Sequence, residues 1–222
     1  MGFGKDKPPF VFGRDGKGLE IDIFREALAS SGHSLVVEHF DNGALVDAVT
    51  RGRVDAVATA RSDDPALCRV EQFIKFENVA VSLADRGMMV DEIGDLESYR
   101  VVAWERAYQD LGDEFYGLFA PQNRGDDSLY MEHHSQAAQV KMFWMGRADL
   151  LVIDKVIFEW YRKQMPPALM SHRDVHFHSV FSTPTYYPAL FRDKALCKEF
   201  REGLDDLKSR GDYERLYQSY IQ

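Results

Sequence analysis

The stretch GRADLLVID, residues 146–154, runs four apolar residues into a carboxylate, and GRVDAVATA at 52–60 repeats its opening G-R-x-D. In an open α/β sheet, ligands sit beyond the carboxyl ends of the strands, which is where Asp154 falls. There it can cap the following helix by accepting from backbone N–H groups, or serve as counter-charge to a ligand cation. The first copy carries Thr59 and, just past it, Arg61 at the matching place: a hydroxyl donor and a guanidinium able to hold a carboxylate in two hydrogen bonds, or simply a solvated arginine. Trp104 closes another strand-like run, RVVAW at 100–104, and AWERAY at 103–108 opens a helix whose first N–H groups suit an anion, although it lacks the glycines of a phosphate loop. Trp104 suits either stacking on a ligand or packing in the core.

Other constellations carry less chemistry. His176 and His178 share one face of a strand near His172, but no further Cys, Glu or His is spaced to complete a metal tetrahedron. GRDGKG at 13–18 reads as a turn between FVF and LEI rather than a dinucleotide fingerprint, because no helix opens at its glycines. The fragment HRD at 172–174 lacks the asparagine, the glycine-rich loop and the strand lysine of a kinase. No nucleophile elbow, zinc-protease or Cys–His signature occurs, and no cofactor motif is found.

The elements that must position these residues alternate short β-like runs with helical periodicity, which marks an α/β protein. Strands are expected over 34–40, 54–60, 77–85, 100–104, 148–154, 175–181 and 185–191. Helices are expected over 19–32, 44–51 (ended by Gly52), 108–119, 135–145 (ended by Gly146) and 155–164. In the tail, Leu196, Phe200, Leu204 and Leu207 form one apolar stripe, and Gly211 separates that helix from a short last one. The twice-used helix–Gly–Arg–x–Asp–strand unit fits either a common helix-to-strand turn or two domains of similar topology.

Composition bounds the function. With 222 residues and 45% hydrophobic content the chain can bury a real core, in one large domain or two smaller ones. Its net charge is −9, from 36 acidic and 27 basic residues, which argues against a nucleic-acid binder. No apolar run reaches the roughly 18 residues of a membrane span, and the N-terminus shows no signal peptide. Cys68 and Cys197 are too few for a disulfide scaffold; a bond between them is one possibility, and two unpaired, half-buried thiols are the expectation.

Taken in order, several segments resemble the bacterial extracellular solute-binding proteins of family 3, the polar amino-acid binders of ABC transporters. KPPFVFGRDGKGLEIDIFREAL is similar to the family's Pro-aromatic strand, turn and G-(aromatic or Leu)-(Asp/Glu)-x-Asp helix start. ALVDAVTRGRVDAVATA resembles the helix and strand closing on the ligand site, and DLESYRVVAWERAYQDLG the start of the second lobe. GRADLLVIDKVIFEWY resembles the second-lobe strand that ends in a ligand-binding aspartate, and FREGLDDLKSRGDYERLYQSY the C-terminal helix pair.

The resemblance implies a two-lobed type II periplasmic-binding-protein fold, each lobe a mixed, mainly parallel sheet flanked by helices, with a ligand cleft between and two hinge strands. Lobe 1 would comprise 1–86 plus 181–222 and lobe 2 residues 87–180, with crossings within or just after 77–87 and around 178–184. It further implies a periplasmic protein whose leader has been removed or truncated, a small polar solute as ligand, a membrane ABC permease as partner, and no catalysis; a monomer is expected. Carried over by position, Asp154 would pair with a ligand ammonium, Ala107 and Tyr108 would meet its carboxylate, and Thr59 would supply a polar contact. Lys7 stands where the family often has an aromatic platform, and Arg106–Ala107 replaces the usual Gly-Thr or Gly-Ser. The turn ARSDDPALCR is longer than the family's Thr-x-x-Arg, so either Arg61 or Arg69 would clamp a carboxylate, and the expected ligand is zwitterionic or anionic. The same fold hosts cyclohexadienyl dehydratases, for which Glu20 or Glu105 would be the acid, and sensor modules of signalling receptors.

Overall fold

Gly18 decides how the chain enters its first helix in the computed structural model, which describes all residues except 14, 167, 169–172, 182, 183 and 222. Its φ is 132°, and a Cβ there would stand 2.3 Å from the Phe10 carbonyl oxygen. With no side chain in the way, the Leu19 and Glu20 N–H groups donate to the Pro9 and Phe10 carbonyls at 3.1 and 3.0 Å. Two donors that a helix start normally leaves open are thereby satisfied. The helix that follows buries Ile23, Phe24, Ala27 and Leu28 at the spacing expected of one inward face.

In chain order the strands are β1 (Gly2–Gly4), β2 (Glu38–Phe40), β3 (Ala56–Ala58), β4 (Cys68–Phe76), β5 (Asn78–Leu83), β6 (Val101–Trp104), β7 (Tyr130–His133), β8 (Leu150–Asp154), β9 (Val175–His178) and β10 (Thr185–Phe191). The helices are α1 (Leu19–Ala29), α2 (Leu45–Thr50), α3 (Asp113–Phe119), α4 (Gln136–Trp144), α5 (Lys155–Gln164), α6 (Lys194–Ser209) and α7 (Asp212–Ile221). The chain divides into two compact units, Met1–Lys75 with Tyr186–Gln222, and Phe76–Thr185. The segment 77–87, where the first crossing is expected, holds β5, which pairs antiparallel with both β8 and β9 and is therefore a strand of the second sheet.

The first sheet has the order β2-β1-β3-β10-β4 and the second β7-β6-β8-β5-β9. In each, three parallel strands come first, and the fourth runs antiparallel to the third. The repeated sequence unit sits at the same place in both: α2 leads into β3, and α4 into β8. Both helices end alike. Gly52 and Gly146 have φ of 70° and 68°, and the N–H groups of Arg53 and Arg147 reach back to the Ala48 and Met142 carbonyls. Those bonds, with Gly52 to Val49 and Gly146 to Phe143, make a Schellman ending in each unit.

The core of the first unit is aromatic: the Phe24 ring lies 4.1 Å from Phe200, 5.4 Å from Phe73 and 5.7 Å from Phe191. In the second unit Phe115 packs on Phe119 and Tyr130 against the buried faces of β6 and β8. No helix among the described residues is long and apolar enough to cross a membrane.

Several expectations need correction. Cys68 on β4 and Cys197 on α6 form a disulfide rather than two thiols; their Cα atoms are 6.2 Å apart, within bridging reach. The helix expected over 108–119 is a single 3-10 turn, Ala107–Gln109, followed by α3, because Gly112 at φ 93° breaks the run. The strand expected over 34–40 pairs only over Glu38–Phe40. Strands β1, β4 and β7 were not foreseen from the sequence. His172 lies outside the described residues.

Candidate functional site

In the first unit β1 and β3 run parallel, so their carboxyl ends open toward the same side of the sheet. Lys7 follows β1 in a small reversal in which Lys7 and Val11 exchange backbone hydrogen bonds at 2.8 and 3.0 Å. Its Nζ meets Glu20 Oε1 at 2.7 Å, and Thr59 Oγ1 donates to Glu20 Oε2 at 2.6 Å. Glu20 is fully buried, whereas the Lys7 side chain is 22% exposed. A carboxylate taken out of water must be paired and hydrogen-bonded, and this one is ion-paired with Lys7 through Oε1 and hydrogen-bonded by Thr59 through Oε2. Thr59 is held with φ at 57°, a region a β-branched residue enters at a cost of about 1–3 kcal/mol. Strain of that kind persists where surrounding contacts fix the residue, and the bond to Glu20 is one of them.

Arg61 and Arg69 are differently placed. Arg61 follows the end of β3, donates to the Tyr186 carbonyl at 3.2 Å and lies 4.7 Å over the Tyr187 ring. Arg69 lies on β4, the last strand of the sheet, with Glu71 at 2.9 Å on the same strand face and Asp63 at 3.9 Å. Of the two, only Arg61 stands directly after the carboxyl end of a strand parallel to β1.

In the second unit β6, β7 and β8 are parallel and end in Trp104, His133 and Asp154. The Trp104 indole N–H faces Asp110 Oδ2 at 3.5 Å. Arg106, the residue that turns the chain after β6, has φ 63° and donates its N–H to Glu132 Oε2 at 3.2 Å. Ala107 is buried, and the Tyr108 ring meets Tyr116 edge-on at 5.9 Å. Asp154 is 3% exposed. Its Oδ1 accepts from Ile157 N at 3.0 Å, capping α5, and its Oδ2 accepts from Glu77 N at 2.7 Å.

Sequence reasoning missed the end of β7. Glu132 accepts from Arg106 N and, at 3.2 Å, from the Tyr130 hydroxyl, whose pKa is pushed above the usual tyrosine range by burial first and by Glu132 second. His133 and His134 stack at 4.6 Å, and the Ser135 N–H donates to His133 Nδ1 at 3.0 Å. The alternation in LYMEHH was the available signal. Glu105 is exposed, while Glu20 is committed to Lys7 and Thr59. His176 and His178 stack at 4.4 Å, and among the described residues no group of three or more His, Cys, Asp or Glu is placed to hold a metal.

The family model of bacterial extracellular solute-binding proteins, family 3, matches residues 1–222. The chain belongs to that family. No curated protein matches the sequence. Among solved structures, this family 3 protein is similar to the GluR0 ligand-binding core in complex with L-glutamate, with a TM-score of 0.77 at 14% identity over 100% of this chain and 98% of that one. A histidine kinase sensor domain with similarity to periplasmic binding proteins gives 0.73 at 18% identity, covering 99% and 95%. The arginine-, lysine-, histidine-binding protein ArtJ from Geobacillus stearothermophilus gives 0.69 at 16% identity, covering 99% and 94%. These likenesses show the fold, the type II periplasmic-binding-protein fold, in agreement with the two mixed sheets and their shared strand order.

Proposed function

We propose that this family 3 protein is the substrate-binding component of an ABC transporter, taking a small polar, amino-acid-like solute and performing no chemistry on it. The observation that carries the reading is the clustering of charged and polar side chains at the carboxyl ends of parallel strands in each unit. In the first these are Lys7, Glu20, Thr59 and Arg61; in the second Trp104, Tyr108 and Asp154. The whole-chain family match supports a binding role, and the ligands named for ArtJ and for the GluR0 core are amino acids. Asp154 would give a solute ammonium a charge-assisted hydrogen bond, Thr59 a hydroxyl, and Arg61, in preference to Arg69, a clamp on its carboxylate. Ala107 and Tyr108 would meet that carboxylate as well. The disulfide suits an oxidising compartment, in keeping with a periplasmic location, with a membrane permease as partner and the protein itself a monomer.

The test is a thermal-shift screen against basic, acidic and neutral amino acids, followed by calorimetry on Asp154→Asn. A solute at 100 times its dissociation constant stabilises the folded protein by about 2.7 kcal/mol, a readily seen shift. Asparagine keeps an oxygen to cap α5 but removes the charge and turns its NH2 toward the Glu77 N–H, so circular dichroism first checks that the variant is folded. Affinity for a cationic or zwitterionic solute should then fall by about 30-fold or more, the equivalent of about 2 kcal/mol for a lost buried charge pair. No shift with any solute would overturn the transport reading, and unchanged affinity would remove Asp154 from the site. The likeness to a histidine kinase sensor domain favours a second reading, a ligand-sensing module. Capture of a transporter permease rather than a kinase by the liganded protein separates the two.

A further inference from the structure

The disulfide in the first unit is asymmetric. Cys197 is fully buried on α6, whereas Cys68, at the head of β4, is half-buried. One nitrogen of an exposed arginine, Arg201 Nη2, stands 3.9 Å from Cys197 Sγ and 4.0 Å from Cys68 Sγ. The same nitrogen donates to the Arg69 carbonyl at 2.9 Å, which fixes the guanidinium over the sulfurs. A sulfur leaves a disulfide faster when the thiolate it becomes is stabilised, and a neighbouring arginine lowers a thiol pKa.

From this geometry we infer that Cys68–Cys197 is a thiol-exchange site, with the sulfur of half-buried Cys68 as the point of attack and that of fully buried Cys197 as the leaving thiolate under Arg201. An incoming thiolate forms a new S–S bond to Cys68 Sγ. The Cys68–Cys197 bond breaks, and its electron pair stays on Cys197 Sγ beside the guanidinium. A monothiol such as glutathione stops at the mixed disulfide on Cys68. A dithiol goes further: its second thiolate attacks its own sulfur in the mixed disulfide and expels Cys68. The dithiol is then oxidised by two electrons, and the protein disulfide reduced by the same two.

The fold leaves room for this exchange without coming apart. Downstream of Cys68 the carbonyls of β4 are held by side chains of the C-terminal helices: Lys208 Nζ donates to Gln72 at 3.0 Å, Tyr213 to Phe73 at 3.1 Å, and Tyr217 to Lys75. Opening the bond therefore frees Cys68 itself, while from the Arg69 carbonyl onward the strand stays strapped to α6 and α7.

The experiment treats the folded, oxidised protein with reduced glutathione, quenches with acid, and maps the adduct by mass spectrometry; dithiothreitol then gives the rate of thiol release. The expected results are an adduct on Cys68 and, for Arg201→Met, release slowed by about ten-fold. Arg201→Lys should restore most of the rate, because it keeps a cation at the leaving sulfur. Lys208→Met, which removes a strap of β4 remote from the sulfurs, should leave the rate as in the wild type and separates loosening of the strand from leaving-group stabilisation. An adduct on Cys197, an unchanged rate in Arg201→Met, a slowing as large in Lys208→Met as in Arg201→Met, or thiols released only at the rate of global unfolding would each overturn the proposal.

Discussion

His178 ends β9 with 5% of its surface exposed, and its Nε2 lies 2.9 Å from Ser82 Oγ. Burial first, and then the neighbouring His176, hold its pKa below the ordinary imidazole value, against the opposing pull of Asp91 and a hydrogen bond to the Val90 backbone. Unfolding removes that constraint, so the unfolded chain binds the proton more readily than the folded one. The stability His178 contributes is thus complete above about pH 6.5 and is lost as pH falls through its depressed folded pKa. Urea midpoints should accordingly drop on acidification from about pH 7 to 5, and His178→Gln should flatten that part of the profile. A variant with the same slope as the wild type would refute the assignment. Asp149 behaves in the same direction at lower pH, because its bond to Arg100 holds its carboxyl below the usual range. At this scale the sequence is only half legible. A carboxylate at a strand-to-helix junction announces the cap that Asp154 makes on α5, but nothing nearby announces Glu77, its other partner, which is 77 residues away. The bonds from Lys7 and Thr59 to Glu20 were hidden for the same reason: each residue was a candidate alone, and only folding joins them.

Elements were legible where one period ran unbroken. The stripe on α6 reads directly from Phe200, Leu204 and Leu207, and both Schellman endings read from their glycines. Strand β4 did not read because its alternation slips. Val70 and Phe73 are buried with exposed Glu71 and Gln72 between them, and Gln72 has φ 53°, so one residue too many separates the inward positions. Gly203 was equally silent, since a glycine inside a helix looks like a weakness. In the fold a Cβ at 203 would stand 1.9 Å from the Ala27 carbonyl oxygen, so it is the point where α6 and α1 approach. Gly203→Ala must push the two helices apart and should cost about 1–3 kcal/mol in urea denaturation. Gly117 on α3 has open space where its Cβ would go, and Gly117→Ala should instead gain about 0.5–1 kcal/mol. Equal effects at the two positions would show that helix propensity, not contact, governs Gly203.

Over the whole molecule, the repeated G-R-x-D unit was the visible trace of two sheets with the same strand order, one in each unit. The discontinuity of the first unit has a thermodynamic consequence. Its two pieces are joined by the Cys68–Cys197 bond across a sequence separation of 129 residues, a loop that contains the entire second unit. In the chain-entropy account, closing a loop of that length stabilises the fold by about 4–5 kcal/mol, an upper figure where the unfolded chain keeps residual structure. The gain belongs to the first unit, because both cysteines lie there. The three tryptophans, Trp104, Trp144 and Trp160, all lie in the second. Tryptophan fluorescence therefore follows one unit, while far-ultraviolet circular dichroism follows both. In the double variant Cys68→Ser, Cys197→Ser, the dichroism curve in urea should shift to lower denaturant and broaden, with the fluorescence midpoint nearly unmoved. Coincident shifts by both probes would mean that the two units unfold as one cooperative body, and that the disulfide stabilises the second unit as much as the first.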